Sequence, residues 1–206
     1  MANPRIVLHK GDLPAGIDFG ASVAIDTETL GLRPRRDRLC LVQLSAGDNT
    51  AHLVQLDGTD YSAPRLKALL SDPAVLKIFH FARFDVAVLQ AYLGVRTWPI
   101  YCTKIASKLA RTYTDRHGLK DLASELAGVE LSKQQQSSDW GAPELTQQQL
   151  QYAASDVLYL HTIKARLDTM LERQNRKHLA QSCFEFLPTR ADLDLGGFED
   201  MDIFEH

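Results

Sequence analysis

The chain is 206 residues long, with 45% apolar and 24% charged residues. That usage fits a soluble globular domain and excludes a disordered or fibrous protein, and no apolar run approaches the roughly 20 residues of a membrane helix. Net charge is −3, but six of the 26 acids lie in 191–206, which has no Lys or Arg, leaving 23 bases against 20 acids elsewhere.

A single domain over 1–206 is expected, with a core at about 20–175 and a C-terminal helix and acidic tail over 176–206. The start, Met1-Ala2-Asn3-Pro4-Arg5, has no apolar segment with a small-residue cleavage site, so the expectation is a cytoplasmic chain. Cys40, Cys102 and Cys183 are widely spaced, with no C-x-x-C pair, and are expected as buried thiols.

In chain order, 22–27 is an apolar run that ends abruptly in acids, as a buried strand does where its end opens into a site. Strands are expected at 39–44 and 51–56, joined by Ala46-Gly47-Asp48-Asn49, whose composition favours a hairpin turn. Alternation follows: a helix at 63–70, a strand at 75–79, a helix at 84–93 stopped by Gly94, and a short strand near Ile100. This order predicts an α/β domain with a mixed five-stranded sheet, three strands antiparallel and two parallel.

From Thr103 onward the pattern is helical. The stretch 101–120 carries Lys104, Lys108, Arg111, Arg116 and Lys120 against Asp115 alone, which charge pattern by itself reads as a solvated basic face. A long loop spans 131–143, and Thr146-Gln147-Gln148-Gln149 has the form of a capping box. One long helix should begin there, packing Leu150, Ala153, Ala154, Val157 and Leu160 against the sheet.

Asp26-Thr27-Glu28 sets two carboxylates at i and i+2, which on an extended strand point the same way and can share a divalent ion. Asp85 sits where strand 75–79 turns into a helix; on its own it also fits a first-turn acid favoured by the helix dipole. Tyr152 and Asp156, at i and i+4, share one helix face. Alone they would equally be an interfacial tyrosine beside a solvated acid.

Together these elements, in this order, resemble the DEDD 3′-5′ exonucleases in the tyrosine-bearing branch that includes RNase D. The segments that carry the likeness are Asp26-Thr27-Glu28-Thr29-Leu30-Gly31-Leu32, His80-Phe81-Ala82-Arg83-Phe84-Asp85, Gly118-Leu119-Lys120-Asp121-Leu122, and Ser138-Asp139-Trp140 followed by Tyr152-Ala153-Ala154-Ser155-Asp156. Since the chain ends at 206, without room for downstream helical domains, it looks most like the short stand-alone type called nano-RNase C.

The resemblance implies an RNase H-like exonuclease fold and hydrolysis from the 3′ end of short oligoribonucleotides, releasing nucleoside 5′-monophosphates. It implies two divalent cations, Mg²⁺ or Mn²⁺, with Asp26 shared between them, Glu28 and Asp156 on the nucleophile side, Asp85 on the other, and Tyr152 orienting the attacking water. It further implies a ring-like homo-oligomer without a membrane.

Thr27, Thr29, Leu30, Gly31, Leu32, His80, Phe81, Arg83 and Phe84 are expected substrate contacts. Lys104, Lys108, Lys120 and Lys133 are expected to meet phosphates, and Trp140 or Phe84 to stack bases. In the family the residue at the Leu30 position wedges between terminal bases, although Leu30 and Leu32 also read as loop-anchoring core leucines and His80 as a packed core histidine. Two alternatives stay open: an exonuclease acting mainly on DNA or longer structured RNA, and a non-catalytic nucleic-acid-binding module.

Overall fold

The sheet is built outward from β2 (Ser22–Thr29), which pairs antiparallel with β3 (Leu39–Ser45) and parallel with β5 (Leu76–Phe79) in the computed structural model, which describes residues 3–132, 134–135 and 137–205. β3 pairs antiparallel with β4 (Thr50–Gln55), and β5 parallel with β6 (Ile100–Cys102). Val23, Ala24 and Ile25 of β2 and every residue of β3 are buried. Each such aliphatic side chain contributes roughly 1.5–3 kcal/mol relative to exposure, which is why these strands take the centre.

The α/β class and the mixed sheet are as the sequence predicts, but the strand count is six. β1 (Arg5–Lys10) adds parallel to β4, giving the order β1-β4-β3-β2-β5-β6. Its Arg-Ile-Val-Leu-His-Lys sequence hides it: charges at both ends and one short apolar run suit an edge, where only one side of the strand is paired.

Helix α1 (Pro64–Ser71) opens on Pro64, whose missing N–H costs nothing at that position. Its next two amides, of Arg65 and Leu66, donate to the Asp12 carboxylate at 3.0 and 2.9 Å. Helix α2 (Ala82–Leu93) starts two residues earlier than expected and ends at Gly94, whose φ of +65° is a left-handed stop. Then follow α3 (Thr103–Ala110) and α4 (Leu119–Leu122), the latter running into a π-helical turn at Ala123–Ala127. The expected capping box forms at Thr146, but the single long helix does not. α5 (Gln147–Leu158) breaks at Tyr159 and α6 (Leu160–Arg173) continues, so Leu160 belongs to the second helix.

Three charge and thiol expectations are corrected. Arg111 is fully buried, paired with Glu125 and donating to Ser107 Oγ and the Arg116 carbonyl, and Arg116 pairs with Asp121, so 101–120 is not an open basic face. Within the acidic segment Asp192 and Asp194 do not belong to an unpaired tail, because they lie on α7 (Lys177–Leu195) and accept from α2 and its flank. Cys40 and Cys102 are buried, but Cys183 is exposed. Among the described residues, no helix is long and apolar enough to cross a membrane.

Candidate active site

Alternation along β2 sends Asp26 and Glu28 to one face of the sheet and Thr27 to the other. α5 packs over the first face and brings Asp156, one turn beyond Tyr152, to the two acids. One carboxylate oxygen from each of Asp26, Glu28 and Asp156 lies within 4.8 Å of the others. On the opposite side Asp85, in the first turn of α2 and 3% exposed, accepts a hydrogen bond from Thr27 Oγ1 at 2.7 Å. Thr27 thus ties α2 to the strand that carries the other acids. The β2–β3 register slips between Glu28 and Thr29, an irregularity that ends regular pairing beside the acids and turns the chain out toward Leu30.

Burial dominates the electrostatics. Removal from water pushes the Asp26 carboxyl up to about 7, partly opposed by a hydrogen bond from the Thr27 backbone. Glu28 is pushed up to about 10 by burial, then by the charges of Asp26, Asp156 and Asp85. Asp85 and Asp156 also rise well above the ordinary carboxylate range, by burial and then by Asp26. Among the described residues no Lys or Arg forms an ion pair with any of the four. Like charges held this close, out of water and without a basic partner, are costly unless a cation joins them. The donor set is all hard carboxylate oxygen, which fits Mg²⁺ or Mn²⁺.

The acids open into a cavity of about 890 Å³. Of the residues singled out from the sequence, Thr27, Thr29, Leu30, Gly31, Leu32, His80, Phe84, Trp140 and Tyr152 line it with Asp26, Glu28 and Asp156. Leu30 and Leu32 are 50% and 85% exposed, so neither is a core leucine. Burial, then the charges of Asp156, Glu28 and Asp26, push the Tyr152 phenol well above its ordinary range.

His80 is held neutral, its imidazolium form pushed down to about 3 by burial and by the Lys104 charge. Thr103 Oγ1 already donates to the Phe79 carbonyl at 3.1 Å, so His80 Nδ1, 2.9 Å from that oxygen, is the donor and Nε2 keeps its lone pair.

Trp140 is 2% exposed, packed with its ring centre 6.0 Å from that of Tyr152. It is a wall beneath the tyrosine and lacks the open face that stacking on a base requires. Phe81, Arg83, Lys104 and Lys108 lie elsewhere, in a groove of about 500 Å³ against α7. There Lys104 sits 4.1 Å over the Phe81 ring, and Arg83 is engaged by Asp194 at 2.7 and 2.8 Å. Lys133 lies outside the described residues.

The structure adds cavity residues that were not singled out as contacts, among them Gly118, Leu119, Asp121 and Asp139, alongside Lys120. The Gly-Leu-Lys-Asp-Leu and Ser-Asp-Trp segments were the available signal. Gln43, which donates to Asp26 Oδ2 at 3.2 Å, had none, because cross-strand register is not readable from one sequence. Gln149 closes the capping box with Thr146 and also donates to the Asp139 carbonyl at 3.1 Å. The chain just beyond is fixed too: Gln55 and Lys10 donate to the carbonyls of Ala142 and Pro143 at 2.8 and 2.9 Å.

A family model described as 3′-5′ exonuclease matches residues 13–172. Ribonuclease D of Acidiphilium cryptum is 36% identical over 155 residues, 75% of this chain and 39% of the relative. The chain thus spans about two fifths of the length of the curated relatives it matches. Among solved structures, Brucella melitensis NrnC bound to pGG is similar at 56% identity and a TM-score of 0.96, covering 98% of this chain and 99% of that one. NrnC of the same organism with bound Mg²⁺ is 56% identical with a TM-score of 0.94 and the same coverage.

Proposed function

The chain belongs to the 3′-5′ exonuclease family, and from that premise we propose that it removes nucleoside 5′-monophosphates from the 3′ end of short oligoribonucleotides. The observation that carries this is the convergence of Asp26, Glu28 and Asp156 in one cavity without a basic partner among the described residues.

Asp26, Glu28, Asp156 and Asp85 would hold two divalent cations, Mg²⁺ or Mn²⁺. When bound, such ions supply a nucleophile near neutral pH and stabilise charge on the phosphoryl oxygens and the leaving group. In the reaction a water oxygen joins phosphorus, the bond to the 3′ oxygen of the preceding nucleotide breaks, and that oxygen takes a proton.

Tyr152 stays protonated at neutral pH, so it orients the attacking water by hydrogen bonding and does not act as its base. Trp140 limits where that phenol can swing. His80 Nε2 accepts from a hydroxyl of the terminal ribose, and Leu30, Leu32 and Phe84 offer apolar surface to the terminal bases. Lys120, exposed at the cavity, meets a phosphate. Short substrates are favoured because the NrnC relative was solved bound to pGG. The reading includes a homo-oligomer, to be checked by light scattering after size exclusion.

The test is cleavage of 5′-labelled RNA dinucleotides, longer RNA and DNA by metal-stripped protein, with and without Mg²⁺ or Mn²⁺, beside Asp26→Ala. Metal-dependent loss of 3′ nucleotides from dinucleotides by the native protein alone is the expected result. A preference for DNA or long RNA would move the substrate assignment. Binding without any cleavage in the presence of metal would leave a capture module.

A further inference from the structure

Gln43 occupies the middle of β3, fully buried among Cys40, Leu41, Val42 and Leu44. It stands directly across from Asp26 in the antiparallel register, so the two side chains project from the same face. Its Nε2 donates to Asp26 Oδ2 at 3.2 Å, while its Oε1 is buried without a hydrogen-bond partner among the described residues. Turning the amide over would set two oxygens against each other and strand the NH₂ group instead. The orientation that serves Asp26 therefore leaves half of the amide unsatisfied, a cost an apolar residue of similar volume would not carry.

We infer that Gln43 is a positioning residue for Asp26: its amide grips one carboxylate oxygen, stops the group from rotating, and leaves the other oxygen for the cation shared with Glu28 and Asp156. This rests on the cation-binding reading above. Fixing a carboxylate from behind lowers the entropy lost when an ion binds, and loss of such a partner typically weakens metal affinity or activity roughly 10- to 100-fold. No other described side chain hydrogen-bonds Asp26, so nothing duplicates the contact.

The test compares native protein with Gln43→Met, which keeps the unbranched shape and removes the donor, and with Gln43→Leu as a second apolar variant. Mn²⁺ is titrated calorimetrically into metal-stripped protein, melting is followed without metal, and kcat and KM are measured at low and high Mn²⁺. Expected are a roughly 10- to 100-fold weaker Mn²⁺ affinity, a metal-free melt that stays cooperative, and a lowered kcat at near-constant KM. Excess Mn²⁺ should rescue kcat in Gln43→Met but not in Asp26→Ala. Native-like Mn²⁺ affinity in either apolar variant would overturn the inference, as would affinity lost only together with the fold in both. If the native protein itself takes up no Mn²⁺, the cation-binding reading fails and the inference falls with it, an outcome distinguishable because native and variant then behave alike.

Discussion

Two regions of this molecule gather carboxylates, and they treat them in opposite ways. On α7, Asp194 is 9% exposed and accepts bidentate bonds from Arg83 and further bonds from Arg190, while Asp192 meets Gln90 and Arg96. Both of these acids have a basic partner. At the end of β2, Asp26, Glu28, Asp85 and Asp156 have, among the described residues, only a threonine hydroxyl, a glutamine amide and backbone groups to satisfy them. The same kind of side chain thus serves as mortar in one place and as a socket in the other, and what separates the two is the presence of a guanidinium.

The sharpest way to break this contrast is to remove a socket acid. Asp26→Ala and Asp156→Asn should each lower metal-dependent cleavage by at least roughly 1,000-fold in single-turnover assays. Each should also raise the metal-free melting temperature, since a repelling charge is gone. A melting temperature that falls would mean these carboxyls were already satisfied.

Acidity gives a second route. Unfolded Asp26 ionises near 3.8 but holds its proton to about 7 when folded, and Glu28 runs from 4.5 to about 10. Over those windows these two groups bind more protons in the folded protein than in the unfolded chain, so their contribution to metal-free stability is fully present below about pH 4 and is lost as pH rises through about 7 and about 10. Added Mn²⁺ should remove the decline, because it favours the ionised carboxylates. Calorimetric scans with and without metal would read this, and a metal-free melting temperature that climbs between about pH 5 and about pH 8 would count against it.

Tyr152→Phe should cost roughly 100-fold in kcat, with Mn²⁺ affinity and KM little changed. A large change in metal affinity instead would make the tyrosine part of the socket.

The α7 acids should respond in stability alone. Asp194→Ala leaves two guanidiniums without their carboxylate, and urea denaturation should show a loss of about 1–3 kcal/mol at unchanged kcat/KM per folded molecule. Arg83→Ala should follow it in direction; a raised KM there would show that Arg83 grips substrate after all. Arg96→Ala, across an exposed pair, should cost less than about 0.5 kcal/mol.

Much of this is legible in the sequence. Asp26-Thr27-Glu28 and the i, i+4 pair Tyr152/Asp156 carry their geometry in their spacing, because strand and helix periods fix which side chains share a face. The capping box at Thr146 needs only neighbours in sequence. What stayed hidden depends on partners distant along the chain. β1 is recognisable only once β4 is beside it. Asp192 and Asp194 look like a solvated end until α2 and the segment after it bring Gln90, Arg83 and Arg96 to them. Arg111 reads as a surface base, yet it is buried against Glu125. Trp140 looked available for stacking because an aromatic in a polar loop gives no sign of which face is covered.

The double use of Gln149, closing the capping box and holding the Asp139 carbonyl, sets rules for insertions and deletions. Upstream of Asp139 the loop can gain or lose residues without moving the acids, because none of the described residues between 128 and 137 hydrogen-bonds to α5. From Asp139 to Asp156 the count is locked. One residue added within α5 before Asp156 would turn that carboxylate by about 100° and swing it off the cluster. Length variants of this chain that keep the socket should therefore differ before Asp139 and agree after it, as a ruler with one elastic and one rigid half.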